Sequence, residues 1–332
     1  MPRALDGNIV ALNFLRCGEV CADMDRRRFM TLAPALAAGM PVPARTQTRT
    51  QTQTQTQQPL LRRPLGRRGD SVPVVGLGTW LTFDVGDDPD AIAQRRDVLQ
   101  HFFAAGGGLI DSSPMYGRAE RLLGELLPGL PHAGRLIAES KVWTPFDALG
   151  PSQLERSLRL WGQPRFDVLL VHNLLNWRAH LKTLRRWQDE GRVRYIGVST
   201  SHGNKHDVAE RVLRSEPLDV LQITYNFADT RAEPLMNLAA ERGLAVIINR
   251  PFDGGDLFDQ VGRRPLPPWA AELGCANWAQ YFLKWVIAHP AVSCAIPATR
   301  RPGHLDENMG AGLGQLPDAA ARQRMQAYVG RP

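Results

Sequence analysis

The chain has few lysines, and this scarcity makes each lysine informative. Of its 40 basic residues only four are lysine, and the other 36 are arginine. A bias this strong toward arginine reflects base composition rather than any one site. A lysine in such a chain therefore points to a position that needs an ammonium, a compact charge with an adjustable pKa, instead of a guanidinium. The four are Lys141, Lys182, Lys205 and Lys284.

Cysteine is also scarce, and its placement excludes two classes of protein. Cys17 and Cys21 lie near the N-terminus, whereas Cys275 and Cys294 lie far along the chain. No pair has the spacing of metal ligands, and four cysteines so distributed imply no disulfide framework. We therefore expect neither a zinc-type site nor a disulfide-stapled domain.

A concentrated positive charge is absent as well. The formal charge is +7, but the first 58 residues hold seven arginines against four acids, which leaves about +4 on the remaining 274 residues. Nucleic-acid binding needs a clustered basic face with stacking aromatic side chains, so no nucleic-acid partner is expected. With 43% hydrophobic and 22% charged residues, the composition is that of a soluble globular protein with one large core or two smaller ones.

The N-terminal extension, residues 1–44, contains a pattern typical of an export signal. Arg26 and Arg27 open the motif R-R-x-F-hydrophobic of twin-arginine signal peptides. The apolar stretch that follows is too short to form a stable membrane span, and small residues permit cleavage after Ala44. Met24 is then a candidate initiator. The sequence predicts a periplasmic protein with the twin-arginine export machinery as a partner; the alternative is a basic amphipathic start of a cytoplasmic protein.

Residues 45–59 separate the extension from the folded part. Their core, TQTRTQTQTQTQQ, alternates two polar residues and carries no apolar side chain that could offset the entropy of ordering. We expect a disordered linker there, and a folded domain over residues 60–332.

The folded part alternates short apolar runs with amphipathic helical stretches. Eight strands are predicted, at 72–78, 109–113, 136–142, 167–172, 195–199, 220–225, 245–250 and 293–297. Helices are predicted at 90–104, 118–127, 152–161, 179–190, 205–215, 232–242, 277–288 and 304–309. In the stretch 179–190, for example, Leu181, Leu184 and Trp187 recur at three-residue steps and share one face.

Strands alternating with helices predict an α/β fold with parallel strand pairing. Eight such repeats in about 240 residues favour a (β/α)8 TIM barrel. A doubly wound sheet is the alternative, but no G-x-G-x-x-G fingerprint follows the first strand. Ahead of that strand, the turn Arg68-Gly69-Asp70 lies between two extended runs. It predicts an N-terminal β-hairpin that caps the floor of the barrel.

Chemically active side chains follow three consecutive strands. Asp111 ends the second strand, Lys141 the third and His172 the fourth, while Tyr116 lies in the loop after the second. In a (β/α)8 barrel the carboxyl ends of the strands form the active-site face, so these groups can converge. Singly each suits a structural role, such as a helix cap, a packed aromatic ring, a solvated strand end or a buried histidine. Together they predict a proton-transfer site.

Six segments resemble the aldo/keto reductases, in the expected order over roughly residues 60–330. They are GLGTW, GLIDSSPMYGRAERLLGELL, IAESKV, LLVHNL, GRVRYIGVST and IPATRRPGHLDENM. The resemblance implies a catalytic tetrad of Asp111, Tyr116, Lys141 and His172. Carbonyl reduction needs a proton for the developing alkoxide, and Tyr116 is its implied donor. Lys141 is expected to lower the tyrosine pKa, with Asp111 holding Lys141 and His172 orienting the carbonyl oxygen.

The resemblance also implies NADP(H), with NAD(H) as the alternative, bound across the barrel mouth without a Rossmann unit. Thr200 departs from a common Asn of the family, and Ala298 from a common Lys. Tyr225 or Phe252 is expected to stack on the nicotinamide, because Asn249 stands where an aromatic residue is common. The implied cofactor-binding residues are Gly78, Thr79, Ser199, Thr200, Gln222, Arg250, Pro251, Phe252, Gly254, Thr299, Arg300, Arg301, His304, Glu307 and Asn308.

The sequence therefore predicts an NADP-dependent oxidoreductase that reduces small aldehydes or ketones to alcohols. One alternative is a catalytically idle nucleotide-binding or assembly protein on the same barrel, although such a protein has no use for an acid group. Metal-dependent barrel chemistry needs more clustered carboxylates and histidines than Asp111 and His172 supply. Trp80, Trp143 and Trp177 are candidates for apolar walls of a substrate pocket, or for ordinary packing.

Overall fold

A computed structural model of the protein describes residues 59–330. The predicted extension 1–44 and nearly all of the predicted linker 45–59 lie outside the described residues. The ten strands are β1 (Arg62–Pro64), β2 (Ser71–Pro73), β3 (Leu77–Gly78), β4 (Leu109–Asp111), β5 (Ile137–Val142), β6 (Phe166–His172), β7 (Val193–Ser199), β8 (Val220–Thr224), β9 (Ala245–Asn249) and β10 (Cys294–Ala295).

Ten α-helices lie between and after the strands of this described part. They are α1 (Pro89–Ala104), α2 (Ala119–Leu126), α3 (Gly150–Trp161), α4 (Trp177–Asp189), α5 (His206–Ser215), α6 (Glu233–Glu241), α7 (Asp256–Val261), α8 (Trp278–Ile287), α9 (Pro302–Gly310) and α10 (Ala319–Val329). Helix starts follow local chemistry: the Asp88 side chain accepts from the amides of Asp90 and Ala91 at the start of α1, where Pro89 needs no amide partner.

Strands β3 to β10 form one parallel sheet in chain order. The sheet closes because the chain around β3 also bridges to β10 at Val75–Ala295 and to the residues just after β10 at Gly78–Ala298. The predicted (β/α)8 barrel is confirmed. The predicted strand 72–78 is divided in the structure: its first residues belong to the hairpin strand β2, and only β3 lies in the parallel sheet.

The predicted hairpin is present at the barrel floor. Strands β1 and β2 pair antiparallel, with Arg63 opposite Val72. Leu65 and Val72 pack inside the barrel with inward side chains such as Leu109 and Val168, so the hairpin closes the floor. Asp70 in the turn fixes it there by accepting from the Tyr195 hydroxyl and the Arg194 guanidinium.

The larger part of the core lies between the sheet and the surrounding helices. Outward-facing strand residues such as Leu169 and Val171 pack there against helix residues such as Leu181 and Trp187. Because side chains alternate along a strand, the inward set and the outward set are strictly separated. The inward set decides what lies at the barrel mouth.

Candidate active site

Three strands place three functional side chains at the mouth of the barrel. Asp111 follows inward-facing Leu109 by two residues, and His172 follows Leu170 in the same way, so both point inward. Lys141 alternates likewise with Ile137 on β5. All three are buried, and the Lys141 side chain has no exposed surface. The predicted convergence of Asp111, Lys141 and His172 on one face of the barrel is therefore observed.

The ammonium of Lys141 is held by two acceptors. Its Nζ donates to Oδ1 of Asp111 and, at 2.9 Å, to the carbonyl oxygen of Ser112. Burial alone lowers the pKa of Lys141, but the negative charge of Asp111 opposes this effect and leaves the pKa above its ordinary value. Lys141 is thus a buried permanent cation, oriented by its neighbours toward the loop that carries Tyr116.

Tyr116 lies next to this cation, on the turn before α2. Lys141 Nζ is 5.1 Å from the centroid of the Tyr116 ring. Burial raises the pKa of Tyr116 to about 12, and the positive charge of Lys141 opposes the rise. The expected direction of the lysine effect is thus correct, but the expected net lowering of the tyrosine pKa is wrong, because desolvation of the phenolate outweighs the ammonium in this structure.

His172 is a neutral imidazole at the same mouth. Its Nδ1 is 2.7 Å from Oγ of Ser199 at the end of the neighbouring strand β7. Burial lowers the pKa of His172 to about 3, with a further contribution from Lys141. A neutral ring beside a buried cation can donate a hydrogen bond to a ligand oxygen without competing for its proton.

A cavity of about 310 Å³ opens above these groups, within the size range of small-molecule sites. Asp111, Tyr116 and His172 line it together, with Trp80 as one apolar wall. Trp80 is therefore the one of the three candidate tryptophans that lines this cavity. Trp143 and Trp177 do not line the cavity, and Trp177 instead packs against the main core.

A second cavity of about 360 Å³ lies beside the first. The two cavities share the walls formed by Phe252, Phe258 and Ala298, so together they form a groove from the mouth to α9. Of the predicted cofactor residues, the mouth cavity is lined by Gly78, Arg250, Pro251, Phe252 and Gly254. The second cavity is lined by Phe252, Thr299, His304, Glu307 and Asn308.

The remaining predicted cofactor residues lie outside the walls of both cavities. Thr79 is buried and donates to the carbonyl oxygen of Asp111 at 2.9 Å, which fixes the strand end. Thr200 is also buried, and its Oγ1 has no partner among the described residues. Such an orphaned hydroxyl beside the mouth fits a polar ligand group. Arg300 and Arg301 are exposed in the loop before α9.

Two predicted contacts to a nicotinamide are not arranged as expected. The Gln222 amide nitrogen donates to Oδ1 of Asp111 at 2.9 Å and to Glu139, so it faces the two carboxylates rather than the cavity. Tyr225 is fully buried, stacks on Trp285 at 5.1 Å and donates to Glu233, and is therefore unable to stack on a ligand. Phe252 is the remaining predicted aromatic candidate.

Sequence reasoning missed Glu139, which lies directly below the tetrad. It is fully buried on β5, two residues before Lys141, and therefore points into the barrel as Lys141 does. The signal was present in the sequence, because an acid at an inward position of a buried strand is rare without a partner. Among the described residues, no group of three or more histidine, cysteine or acidic side chains is arranged to hold a metal.

The barrel and the four groups at its mouth define a class, the (β/α)8 enzymes with acid–base groups at their strand ends. A model of the aldo/keto reductase family matches residues 74–327. The chain therefore belongs to the aldo/keto reductase family, whose members are oxidoreductases.

Curated relatives have low sequence identity but match over most of their length. The chain is 24% identical to methylglyoxal reductase YeaE of Escherichia coli (strain K12) over 264 residues, which covers 78% of this chain and 92% of that protein. It is 26% identical to pyridoxine 4-dehydrogenase of the same organism over 238 residues, covering 64% and 79% respectively.

Solved structures share the fold. An aldo/keto reductase from Klebsiella pneumoniae, described in complex with NADP and acetate, superposes with a TM-score of 0.70 at 23% identity, covering 82% of this chain and 97% of that chain. An aldo-keto reductase from Bacillus halodurans in its holo form gives a TM-score of 0.66 at 20% identity, covering 81% and 96%.

Proposed function

We propose that this protein reduces aldehydes or ketones to alcohols, with Tyr116 as the proton donor and NADPH as the hydride donor. One observation carries the proposal. A fully buried ammonium, Lys141, is 5.1 Å from the ring of Tyr116, and this phenol lines the same cavity as neutral His172. Small-molecule carbonyl compounds are the proposed substrates, and apolar walls such as Trp80 and Met115 suit apolar substituents.

The bound cofactor supplies the hydride to the carbonyl carbon. His172 donates a hydrogen bond to the carbonyl oxygen and holds it beside the Tyr116 hydroxyl. As negative charge develops on that oxygen, Tyr116 transfers its proton, so the product is a neutral alcohol. Lys141 stabilises the phenolate that remains, and Asp111 holds Lys141 in place. The Tyr116 pKa of about 12 keeps the proton on the phenol until the alkoxide forms.

Two features support NADP(H) as the cofactor. The Klebsiella pneumoniae structure with this fold is described in complex with NADP. Arg300 and Arg301 are exposed and lie in the chain between Thr299 and His304, which line the second cavity; two guanidinium groups at this position can bind a 2′-phosphate bidentately. NAD(H) is the alternative, because Ala298 and His304 replace basic residues common in the family.

We further propose export to the periplasm through the twin-arginine machinery, with cytoplasmic residence as the alternative. The proposal rests on Arg26, Arg27 and the apolar stretch that follows them, all outside the described residues. Among residues 59–330, no helix combines the length and apolarity that crossing a membrane requires.

The proposed reaction is tested by replacing its proton donor. We expect Tyr116→Phe to lower kcat of aldehyde reduction by about 10²-fold or more, because the hydroxyl that donates the proton is removed, while NADPH binding followed by tryptophan fluorescence stays unchanged. The measurement is NADPH oxidation with a panel of aldehydes and ketones.

Tyr328→Phe is the matched control, since the Tyr328 hydroxyl donates to the carbonyl oxygen of Pro265 and Tyr328 lines neither cavity, and it should retain full activity. If the wild-type protein binds NADPH but none of the carbonyl compounds in the panel causes NADPH oxidation, the result would favour the idle nucleotide-binding alternative.

A further inference from the structure

Glu139 is a second carboxyl group in immediate contact with the Asp111–Lys141 pair. Glu139 and Asp111 are register partners on strands β5 and β4, and both side chains point into the barrel. A single nitrogen, Nε2 of Gln222, donates to Oδ1 of Asp111 and to Oε1 of Glu139. The two carboxyl groups therefore lie side by side next to the ammonium; Glu139 has no exposed surface, and Asp111 is 4% exposed where it lines the mouth cavity.

The charges around Glu139 do not balance if both acids are ionised. On its own strand it faces Lys141, on β4 Asp111, on β8 the neutral amide of Gln222 and on β10 the thiol of Cys294. Tyr116 is the remaining titratable group that it influences. One cation thus faces two carboxyl groups, and two adjacent carboxylates in a low dielectric share one proton instead of both ionising.

The hydrogen bonding of Glu139 indicates which group holds that proton. Oε1 of Glu139 has the Gln222 donor, but its buried Oε2 has no partner among the described residues. A buried carboxylate oxygen without a donor is strongly unfavourable, whereas a protonated carboxyl needs only an acceptor. The carboxylate of Asp111, which shares the Gln222 amide with Glu139, is the neighbouring group that can accept from it. Burial and the negative charge of Asp111 both raise the pKa of Glu139, to well above its ordinary value, which also favours a protonated Glu139.

We propose that Glu139 is a positioning residue of the reduction: its protonated carboxyl donates a hydrogen bond to Asp111 and weakens the hold of Asp111 on Lys141. This inference rests on the proposed function for its role in turnover. The hydrogen bond from Glu139 draws the negative charge of Asp111 away from the cavity. The positive charge of Lys141 is then less neutralised by Asp111 and acts more strongly on Tyr116. When Glu139 ionises at high pH, its negative charge opposes formation of the Tyr116 phenolate.

Two substitutions distinguish the effect of the hydrogen-bond donor of Glu139 from the effect of its ionisable carboxyl group. Glu139→Gln keeps a donor for Asp111 but is unable to ionise, so kcat at neutral pH should stay within about twofold of wild type. Glu139→Leu removes the donor and should lower kcat by about tenfold, the effect of losing a supporting hydrogen-bond partner, with little change in the KM for NADPH.

The pKa of Tyr116 distinguishes the proposed role of Glu139 from a purely structural one, because a purely structural role would leave this pKa unchanged. It is measured as the phenolate absorbance titration of each protein minus that of its Tyr116→Phe counterpart. We expect the Tyr116 pKa to be lower in Glu139→Gln than in wild type by on the order of one unit, because the carboxylate charge is absent at high pH.

Glu120→Gln is the matched control. Glu120 is also a buried acid, but it accepts from Ser140, Ser157 and Trp161 outside the barrel interior. This variant should lose stability and leave the Tyr116 titration unchanged. Equal shifts in the Glu120 and Glu139 variants would overturn the proposal.

Infrared spectroscopy tests the proton on Glu139 without any assay of activity. A protonated-carboxyl C=O band at neutral pH should be present in wild type and lost in Glu139→Gln. Absence of such a difference band would overturn the proposal whatever the substrate is. If the band is present but the protein reduces no carbonyl compound, only the proposed function would be rejected, and the protonation of Glu139 would stand.

Discussion

At the scale of single residues, one buried ammonium sets the chemistry of its neighbours. Lys141 stabilises the negative charge of Asp111, opposes the rise in the Tyr116 pKa and helps to lower the His172 pKa. Lys141 is one of only four lysines in the sequence, as a position that requires an ammonium predicts. A guanidinium has a larger, planar head, and it would not fit between Asp111 and the Ser112 carbonyl in the same way.

The buried His172 should make the protein sensitive to acid. Its pKa is about 3 in the folded protein and about 6.5 when unfolded, so between these pH values the unfolded chain binds a proton that the folded protein does not. As the pH is lowered through that range, this group alone should therefore decrease the free energy of unfolding by about 1.4 kcal/mol per pH unit. Urea unfolding at pH 7 and pH 4 measures this loss.

His172→Asn should reduce the loss of stability between these pH values, since an amide does not titrate. Exposed His132→Asn is the control and should leave the loss as in wild type. An unchanged pH dependence in His172→Asn would show that other groups cause the acid sensitivity.

The four tetrad residues were predictable because each follows an apolar strand, and parallel strands end on one face. Glu139 was not predicted, since its meaning depends on Asp111 and Gln222, which lie 28 and 83 residues away in the chain. The net direction of the Tyr116 pKa also required the structure. The presence of Lys141 is visible in the sequence, but the degree of burial that outweighs it is not.

At the scale of elements, the predicted strands and helices agree with the structure except where tertiary pairing divided or added them. The run 72–78 is continuous in sequence, yet Ser71–Pro73 pairs within the hairpin and Leu77–Gly78 within the barrel. Helices α7 and α10 were not predicted. The first is a short helix after a two-glycine turn, and the second has a weak apolar stripe with only Met325 and Val329 buried.

The contact between β7 and β8 makes a specific demand on the sequence at Gly197. A Cβ added there would lie 2.0 Å from the carbonyl oxygen of Val220, a backbone atom fixed by the neighbouring strand. We expect Gly197→Ala to lower the free energy of unfolding by about 3 kcal/mol, because the strand pair must separate to admit the methyl group. Urea denaturation measures this change.

Gly134→Ala provides the comparison, because a methyl group added at Gly134 would have no atom within 4 Å and the φ of this residue is not left-handed. That variant should unfold like wild type. Equal stability of both variants would mean that the β7–β8 pair separates easily, contrary to the close packing of this sheet.

At the scale of the whole molecule, barrel closure brings the proposed cofactor groove and the proposed proton donor, Tyr116, together. The groove between the mouth and α9 is bounded by residues that follow β9 and β10, whereas Tyr116 follows β4. These segments are more than 130 residues apart along the chain. They meet because the chain around β3 pairs with both β4 and β10.

The export proposal concerns the full chain and is tested in cells. Arg26→Lys combined with Arg27→Lys should abolish appearance of the protein in the periplasmic fraction, because the arginine pair is the feature that defines the signal. Fractionation with an antibody measures the distribution of wild type and variant. Wild-type protein found only in the cytoplasm would reject the proposal, and the double variant should keep its enzymatic activity in the cell extract.

The sequence by itself determined the order of strands and helices, the barrel and the four groups at its mouth. This is because hydrophobic periodicity and the ends of strands depend on residues that are consecutive in the chain. Only the tertiary structure decided the burial of Tyr116, the turning of Gln222 toward two acids and the position of Glu139. Desolvation and the pairing of charges depend on what surrounds a group in space, and residues from distant strands provide those surroundings.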